Sequence, residues 1–155
     1  MADMLLCAMG ADVPLRGNDA VATELVALDH PTAILCRTNA NVSKWVMEAA
    51  KSGDTNFDAT GTDEAIEFFS SVAALKKGKP GKGKYKLFKS WDEICAYSKT
   101  VDGADLANYI RLEREYGSSF VAETLKKVSK NEVETARRVI STAHRVKGME
   151  FNEVL

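Results

Sequence analysis

The chain has 155 residues, of which 45% are hydrophobic and 28% charged, and its formal net charge is -1. This length suits one domain with a buried core, and the composition excludes a disordered or membrane-spanning chain. Asp3 stands where a signal peptide carries positive charge, and the apolar run beside it is too short for export. The three cysteines form no CxxC pair, so we expect no disulfide framework, no metal site and a cytoplasmic location.

Positive charge is concentrated in one stretch. Residues 76–89 hold seven lysines and no acid, which leaves 14 basic and 22 acidic residues elsewhere, a balance of 14 - 22 = -8. Residues 78–84 fit the spacing GxxxxGK, but Tyr85 stands where a phosphate-binding loop needs Ser or Thr for magnesium. We therefore reject a P-loop and keep two interpretations, a solvated loop or a phosphate contact.

The first elements in chain order are a helix and a buried strand. Helical periodicity covers residues 2–9, whereas residues 21–28 fit both a strand and a helix. Residues 32–36 are an apolar run, and polar residues 37–39 follow it. This pattern is typical of a parallel strand buried on both faces with a functional loop at its carboxyl end.

Periodicity and capping residues predict the later elements. The first is a helix near 42–49 capped by Asn39 or Asn41, and a short strand near Phe57 follows it. Four helices come next: one over 62–77, one that begins at Ser90, one that ends at Gly117 and one over 120–128. A strand over 138–142 is the last of these elements. The alternation predicts an α/β fold, a parallel sheet flanked by helices, with a largely helical insertion over about 62–128. Residues 151–155 resume an apolar, strand-like character, so we expect the single domain to be incomplete at its C-terminus.

Residues 140–155 read ISTAHRVKGMEFNEVL and resemble motif V of superfamily 1 helicases of the UvrD/Rep type, which is close to T-x-H-x-x-K-G-L-E-F/W. The matching positions are Thr142, His144, Lys147, Gly148, Glu150 and Phe151. Met149 replaces the usual Leu, and Asn152 stands where Asp is common. Residues 33–40 also resemble this family, and residues 87–94 resemble its F-box DNA helicase relatives. The fold that these resemblances imply is part of the second RecA-like motor domain.

The resemblance implies two sets of binding residues. Gly148 would let the backbone approach the phosphates of ATP, and Glu150 would accept a hydrogen bond from the ribose. Residues 37–39 would face the single-stranded DNA, and Thr142 and His144 would lie between the nucleotide cleft and the DNA backbone. The DNA-binding or coupling residues are Arg37, Thr38, Asn39, Thr142, His144 and Lys147.

The resemblance also implies that the chemistry needs more than this chain. ATP and Mg²⁺ would belong to the complete helicase, together with the first RecA-like domain and single-stranded DNA as partners. This chain lacks the Walker A, Walker B and motif VI sequences, so we expect no catalytic residue, no metal ligand and no ATP hydrolysis by it alone. Asp63-Glu64 and Asp92-Glu93 each open a predicted helix instead of ending a strand, which excludes them as Walker B acids.

Each assignment has a simpler alternative. His144 can be a structural histidine, Glu150 a surface acid, and Arg37 a cap or an ion-pair partner. Trp45 and Trp91 can stack on bases, but their spacing favours burial in the core. For the whole chain, the alternative is a free-standing nucleic-acid-binding module without ATPase activity. A small enzyme built on residues 142–150 lacks a nucleophile with a paired base.

Overall fold

A computed structural model describes residues 31–54, 56–129 and 138–155. In chain order the elements are β1 (Ala33–Cys36), α1 (Asn39–Lys51), β2 (Phe57–Ala59), α2 (Asp63–Leu75), a 3-10 helix (Gly83–Leu87), α3 (Trp91–Tyr97), a 3-10 helix (Ala104–Leu106), α4 (Ala107–Tyr116), α5 (Ser118–Val128) and β3 (Arg138–Thr142). The predicted α/β class with a parallel sheet is confirmed. The helix predicted over 2–9 and the ambiguous segment 21–28 lie outside the described residues.

The three strands form one parallel sheet in the order β1-β3-β2. The last strand in the sequence therefore lies between the first two. On the outer side of β1, the backbone N–H of Ala33 donates to the carbonyl of Glu153 at 3.0 Å, and that of Leu155 donates to the carbonyl of Ala33 at 2.9 Å. The strand predicted over 151–155 is present only as an isolated parallel bridge between Val154 and Ala33, supported by these hydrogen bonds.

Helix α2 packs against α5, which together with α1 contacts the sheet. Its buried residues are Ala65, Phe68, Phe69, Ser71, Val72 and Leu75. Helical periodicity over 62–77 predicts an inward face of Ile66, Phe69 and Val72 or Ala73, and Phe69 and Val72 are buried while Ile66 packs half-buried against the core. Phe68 is buried as well, and its ring lies 5.1 to 5.3 Å from the rings of Phe69, Tyr85 and Tyr109. The buried face of α2 is wider than one stripe, because α2 packs against α5 and against the first 3-10 helix.

The seven lysines of residues 76–89 are all exposed, as the solvated-loop interpretation predicts, but contacts with the helices anchor the segment. Tyr85 in the first 3-10 helix is buried, and Lys84 beside it forms an ion pair with Glu64 of α2. Lys76 pairs in the same way with the buried Glu113 of α4. Helix α2, not a strand, precedes the GxxxxGK spacing, which supports its rejection as a P-loop.

The two tryptophans differ in burial. Trp45 is exposed on α1, so its predicted burial was wrong, whereas Trp91 packs half-buried against the core. Trp91 also begins α3, and its neighbour Ser90 caps that helix as predicted, since the Ser90 hydroxyl accepts from the N–H of Glu93 at 3.2 Å. The Glu93 carboxylate accepts from the N–H of Lys89 at 2.6 Å, one residue earlier than a capping box requires. None of the described helices is long and apolar enough to cross a membrane.

Candidate functional site

The carboxyl ends of β1, β2 and β3 meet at one edge of the sheet, because all three strands are parallel. The N–H of Ala143 donates to the carbonyl of Cys36 at 3.2 Å, and the N–H of Thr60 donates to the carbonyl of Ile140 at 3.2 Å. The loops that follow the strands therefore lie side by side. We call residues 37–39, 60–62 and 142–145 the strand-end surface. The chain then returns to the amino end of β1, where the carbonyl of Glu153 accepts from the N–H of Ala33.

The loop after β1 presents polar groups and the start of a helix. Arg37 and Thr38 are exposed, and Asn39 is half-buried as the first residue of α1. The N-cap of α1 is Thr38, whose hydroxyl accepts from the N–H of Asn41 at 3.3 Å, so the predicted caps Asn39 and Asn41 were wrong. The N-terminus of a 13-residue helix thus contributes its partial positive charge to this surface.

The loop after β3 begins with a turn and contains Gly148, which no neighbouring atom crowds. The N–H of Arg145 donates to the carbonyl of Thr142 at 3.0 Å, which closes the first turn after the strand. Gly148 has a φ of +89°, and a Cβ at this position would meet no atom within 4 Å. A ligand can therefore approach its backbone closely. Glu150, two residues later, is exposed.

The other predicted residues of this loop differ in exposure. His144 and Lys147 are exposed, whereas Thr142 ends β3 with only 8% of its surface exposed. Direct contact with DNA is open to His144 and Lys147 but not to the buried Thr142. Thr142 is instead placed to hold the turn, through its carbonyl, against the end of the sheet.

Sequence reasoning missed Arg145 and Gly61. Gly61 has a φ of +79°, and a Cβ there would lie 2.7 Å from Nε of Arg145 and 3.0 Å from Oδ1 of Asn39. The absence of a side chain at Gly61 therefore makes room for the Arg145 side chain where the three loops converge. The available sequence signal was a glycine between a predicted strand and a predicted helix. That Gly61 lies next to Arg145 follows only from the fold.

The strand-end surface carries positive charge that no acid neutralises among the described residues. None of the ion pairs among the described residues includes Arg37, Arg145 or Lys147. Guanidinium and ammonium groups without carboxylate partners, next to a helix N-terminus, favour phosphate oxygens. Within the described ranges, no cluster of His, Cys, Asp and Glu side chains is arranged to hold a metal ion.

Comparison of the chain with protein-family models, curated proteins and solved structures finds no match.

A buried carboxyl lies in the strand that leads to this surface. Asp58 of β2 is 5% exposed, and its Oδ2 atom has no hydrogen-bond partner among the described residues. Burial raises the pKa of this carboxyl above the ordinary value for aspartate. The protonated form is thus favoured more in the folded chain than in the unfolded one.

Replacing Asp58 by Asn should stabilise the chain near pH 7. An acid whose pKa is raised on folding loses stability as the pH rises from its unfolded pKa through its folded pKa. Asp58→Asn removes that loss, so we expect its free energy of unfolding to exceed that of wild type by about 1 kcal/mol near pH 7. At about pH 4 this difference should disappear. Urea unfolding at both pH values measures it, and a variant less stable than wild type near pH 7 would contradict the cost assigned to this carboxylate.

Proposed function

We propose that this chain is part of the second RecA-like motor domain of an ATP-dependent DNA helicase of the UvrD/Rep type. The observation that carries the proposal is the position of the motif V-like loop. It follows β3, and β3 lies directly beside β1, so the loop begins at the same sheet edge as residues 37–39. In open α/β sheets, this edge is where ligands bind.

The DNA side of the proposal rests on the charge and exposure of the strand-end surface. Arg37 and Arg145 are exposed, Thr38 caps α1, and Asn39, the first residue of α1, lies with Arg145 beside Gly61. Such groups bind the phosphates of a single strand and position it without reading its sequence. Positive charge is therefore local to the surface, although the net charge of the chain is -1.

The nucleotide side rests on the other end of the loop after β3. Gly148 leaves its backbone open to a phosphate group, and the exposed Glu150 is a carboxylate acceptor for ribose hydroxyls. In the complete helicase, the phosphate loop, Mg²⁺ and an arginine from other segments would supply the remaining requirements of phosphoryl transfer. Closure of the cleft would then move the loop and the DNA-facing residues together.

The test is a pair of variants measured against two ligands. In the complete helicase, Glu150→Ala should weaken the apparent affinity for ATP about tenfold, since a hydrogen bond to a charged group contributes about 1.5 kcal/mol. Its binding of single-stranded DNA without nucleotide should not change. Arg37→Ala should weaken single-strand binding and lower its salt slope by about 0.7, while ATP affinity without DNA is unchanged.

The pattern of losses decides between the candidate functions. The proposal requires each variant to lose a different ligand, in proteins whose thermal unfolding matches the wild type. If Arg37→Ala weakens DNA binding and Glu150→Ala leaves ATP affinity intact, a nucleic-acid-binding module without ATPase activity is the correct function. If both variants lose the same ligand, the assignment of DNA to residues 37–39 and of ATP to the end of the loop after β3 is wrong.

A further inference from the structure

A cavity of about 540 Å³ lies between the loop after β1 and the helical part of the chain. Thr38 and Asn39 line one end of it, and most of the remaining wall comes from the segment between the first 3-10 helix and α4. Its aromatic lining residues are Tyr85, Phe88, Tyr97 and Tyr109. The volume is within the range of pockets that hold a small organic group.

One wall of the cavity places two carboxylates beside an aromatic ring. Asp102 and Asp105 are exposed and line the cavity, and so does Tyr97, which is 38% exposed. A Cβ at Gly103 would lie 2.8 Å from Cδ1 of Tyr97, so the backbone between the two aspartates lies against this ring. Phe88, 5.5 Å from Tyr97 between ring centroids, extends the aromatic surface. We call Asp102, Asp105 and Tyr97 the acidic wall.

The carboxylates of the acidic wall have no positively charged partner among the described residues. None of the ion pairs in the described ranges includes Asp102 or Asp105. In the part of the chain that the structure describes, Lys84 is the one lysine or arginine that lines the cavity, and it pairs with Glu64. The cavity is therefore negative, and this charge attracts cations and repels phosphates.

The described chain itself shows what a carboxylate beside an aromatic ring binds. At three places a lysine ammonium pairs with a carboxylate and also lies over a ring, 4.3 to 5.4 Å from the ring centroid. The opposite charge and the negative face of the ring both attract it. These groups are Lys51 with Glu115 and Tyr116, Lys76 with Glu113 and Trp91, and Lys84 with Glu64 and Tyr85. The acidic wall has the same two components, but no cation of the described residues pairs with it.

We propose that the acidic wall binds the guanidinium group of an arginine side chain from a partner protein. A guanidinium is planar, so it can stack on the exposed part of the Tyr97 ring. Its N–H groups lie in one plane and can donate to Asp102 and Asp105 at the same time. A lysine ammonium carries the same charge but cannot stack in this way, and we therefore expect it to bind more weakly.

The rim of the cavity favours a peptide over a small free cation. Leu87 lines the cavity and is 87% exposed, and Val101, the residue before Asp102, is 94% exposed. A free cation would leave both side chains in water, whereas aliphatic residues on either side of an arginine can cover them. The cavity includes neither Arg37 nor Arg145, so this protein-binding site goes beyond the DNA-binding function proposed above and does not depend on it.

The experiment measures binding of a capped pentapeptide, Ala-Leu-Arg-Leu-Ala, to the purified 155-residue chain by NMR titration. A second peptide carries citrulline in place of arginine, which keeps the planar shape and removes the charge. The arginine peptide should bind saturably, and the citrulline peptide should bind more weakly by roughly 2- to 30-fold, the range for two exposed ion pairs. This difference should shrink as the salt concentration rises.

Two variants test the acidic wall. Asp102→Asn combined with Asp105→Asn should weaken binding of the arginine peptide by roughly 2- to 30-fold and leave the citrulline peptide unaffected. Tyr97→Leu should weaken the arginine peptide by roughly 2- to 5-fold, the range for an exposed contact between a cation and a ring. Thermal unfolding of both variants is compared with wild type to verify that they fold.

The matched control removes the same charge elsewhere. Asp63→Asn combined with Asp92→Asn changes two exposed aspartates that do not line the cavity. It should bind the arginine peptide as wild type does, because salt screens charges that lie far from the peptide. An equal loss in the two double variants would show that only the overall charge attracts the peptide, and the proposed site would be wrong.

The remaining outcomes also decide the proposal. Equal affinity for the arginine and citrulline peptides, or no binding of either, overturns it. If N-acetylarginine amide binds as tightly as the peptide, the cavity takes a small cation and the protein partner is wrong. If the Asp102→Asn/Asp105→Asn variant loses single-stranded DNA binding instead of peptide binding, the cavity belongs to nucleic acid. The variants Arg37→Ala and Glu150→Ala test the proposed helicase function separately, so either proposal can fail alone.

Discussion

Phe68→Ala should destabilise the chain by about 3–5 kcal/mol, the usual cost of removing a fully buried phenylalanine. Phe68 is 0% exposed, stacks on Tyr109 and meets Phe69 and Tyr85 edge-on. Few residues of this helical region can move to fill the space, because three rings surround it. Since single domains are stable by about 5–15 kcal/mol, the variant should lose a large part of its stability in urea unfolding.

Phe120→Ala is the control for this loss. It removes the same side chain from α5, at a position that is 47% exposed, so it should cost much less. Equal losses in the two variants would contradict the central position given to Phe68. The comparison also tests the cavity wall indirectly, because Phe68 supports the ring of Tyr85.

The strands could be predicted from sequence because their signal is local. The apolar run predicted at 32–36 corresponds to Ala33–Cys36, and the strand predicted over 138–142 is Arg138–Thr142. Their adjacency could not be predicted in the same way. The pairing of Cys36 with Thr142 joins residues far apart in the chain, and sequence spacing carries no information on which strands become neighbours.

Side-chain orientation on the helices was predicted less well. Val42 and Val46 are buried on α1, but Trp45, which fits the same periodicity, is exposed. A helix that packs on two partners buries a wide face, and periodicity alone does not locate its limits. Likewise, Thr38, Asn39 and Asn41 are all able to cap a helix, and the end of the strand at Cys36 is what selects Thr38.

The candidate site shows the same division between local and long-range information. Arg37, His144 and Glu150 were predicted from short segments, and the structure shows that the loops after β1 and β3 begin at the same sheet edge. Arg145 was overlooked because its partner Gly61 lies in a different loop. The aromatic cavity was also missed, since its rings come from separate helical segments that only the fold brings together.

Gly61→Ala should reduce both stability and single-strand binding. The φ of +79° is unfavourable for alanine by about 1–2 kcal/mol, and the added methyl group would lie 2.7 Å from Nε of Arg145. The flexible arginine can move away, so the close contact costs little stability but displaces a guanidinium from the strand-end surface. We expect the salt slope of single-strand binding to fall by about 0.7, the value for one phosphate contact.

Gly53→Ala separates the backbone effect from the displacement of Arg145. Gly53 has a φ of +80°, and a Cβ there would meet no atom within 4 Å, so alanine brings the same strain without touching the surface. Both variants should lose similar stability in urea unfolding, but only Gly61→Ala should bind single-stranded DNA more weakly in a salt titration. If Gly53→Ala weakens DNA binding equally, lost stability explains both results and Arg145 is not a DNA contact. If neither Gly61→Ala nor Gly53→Ala weakens DNA binding, Arg145 binds no phosphate although it lies where the three loops meet.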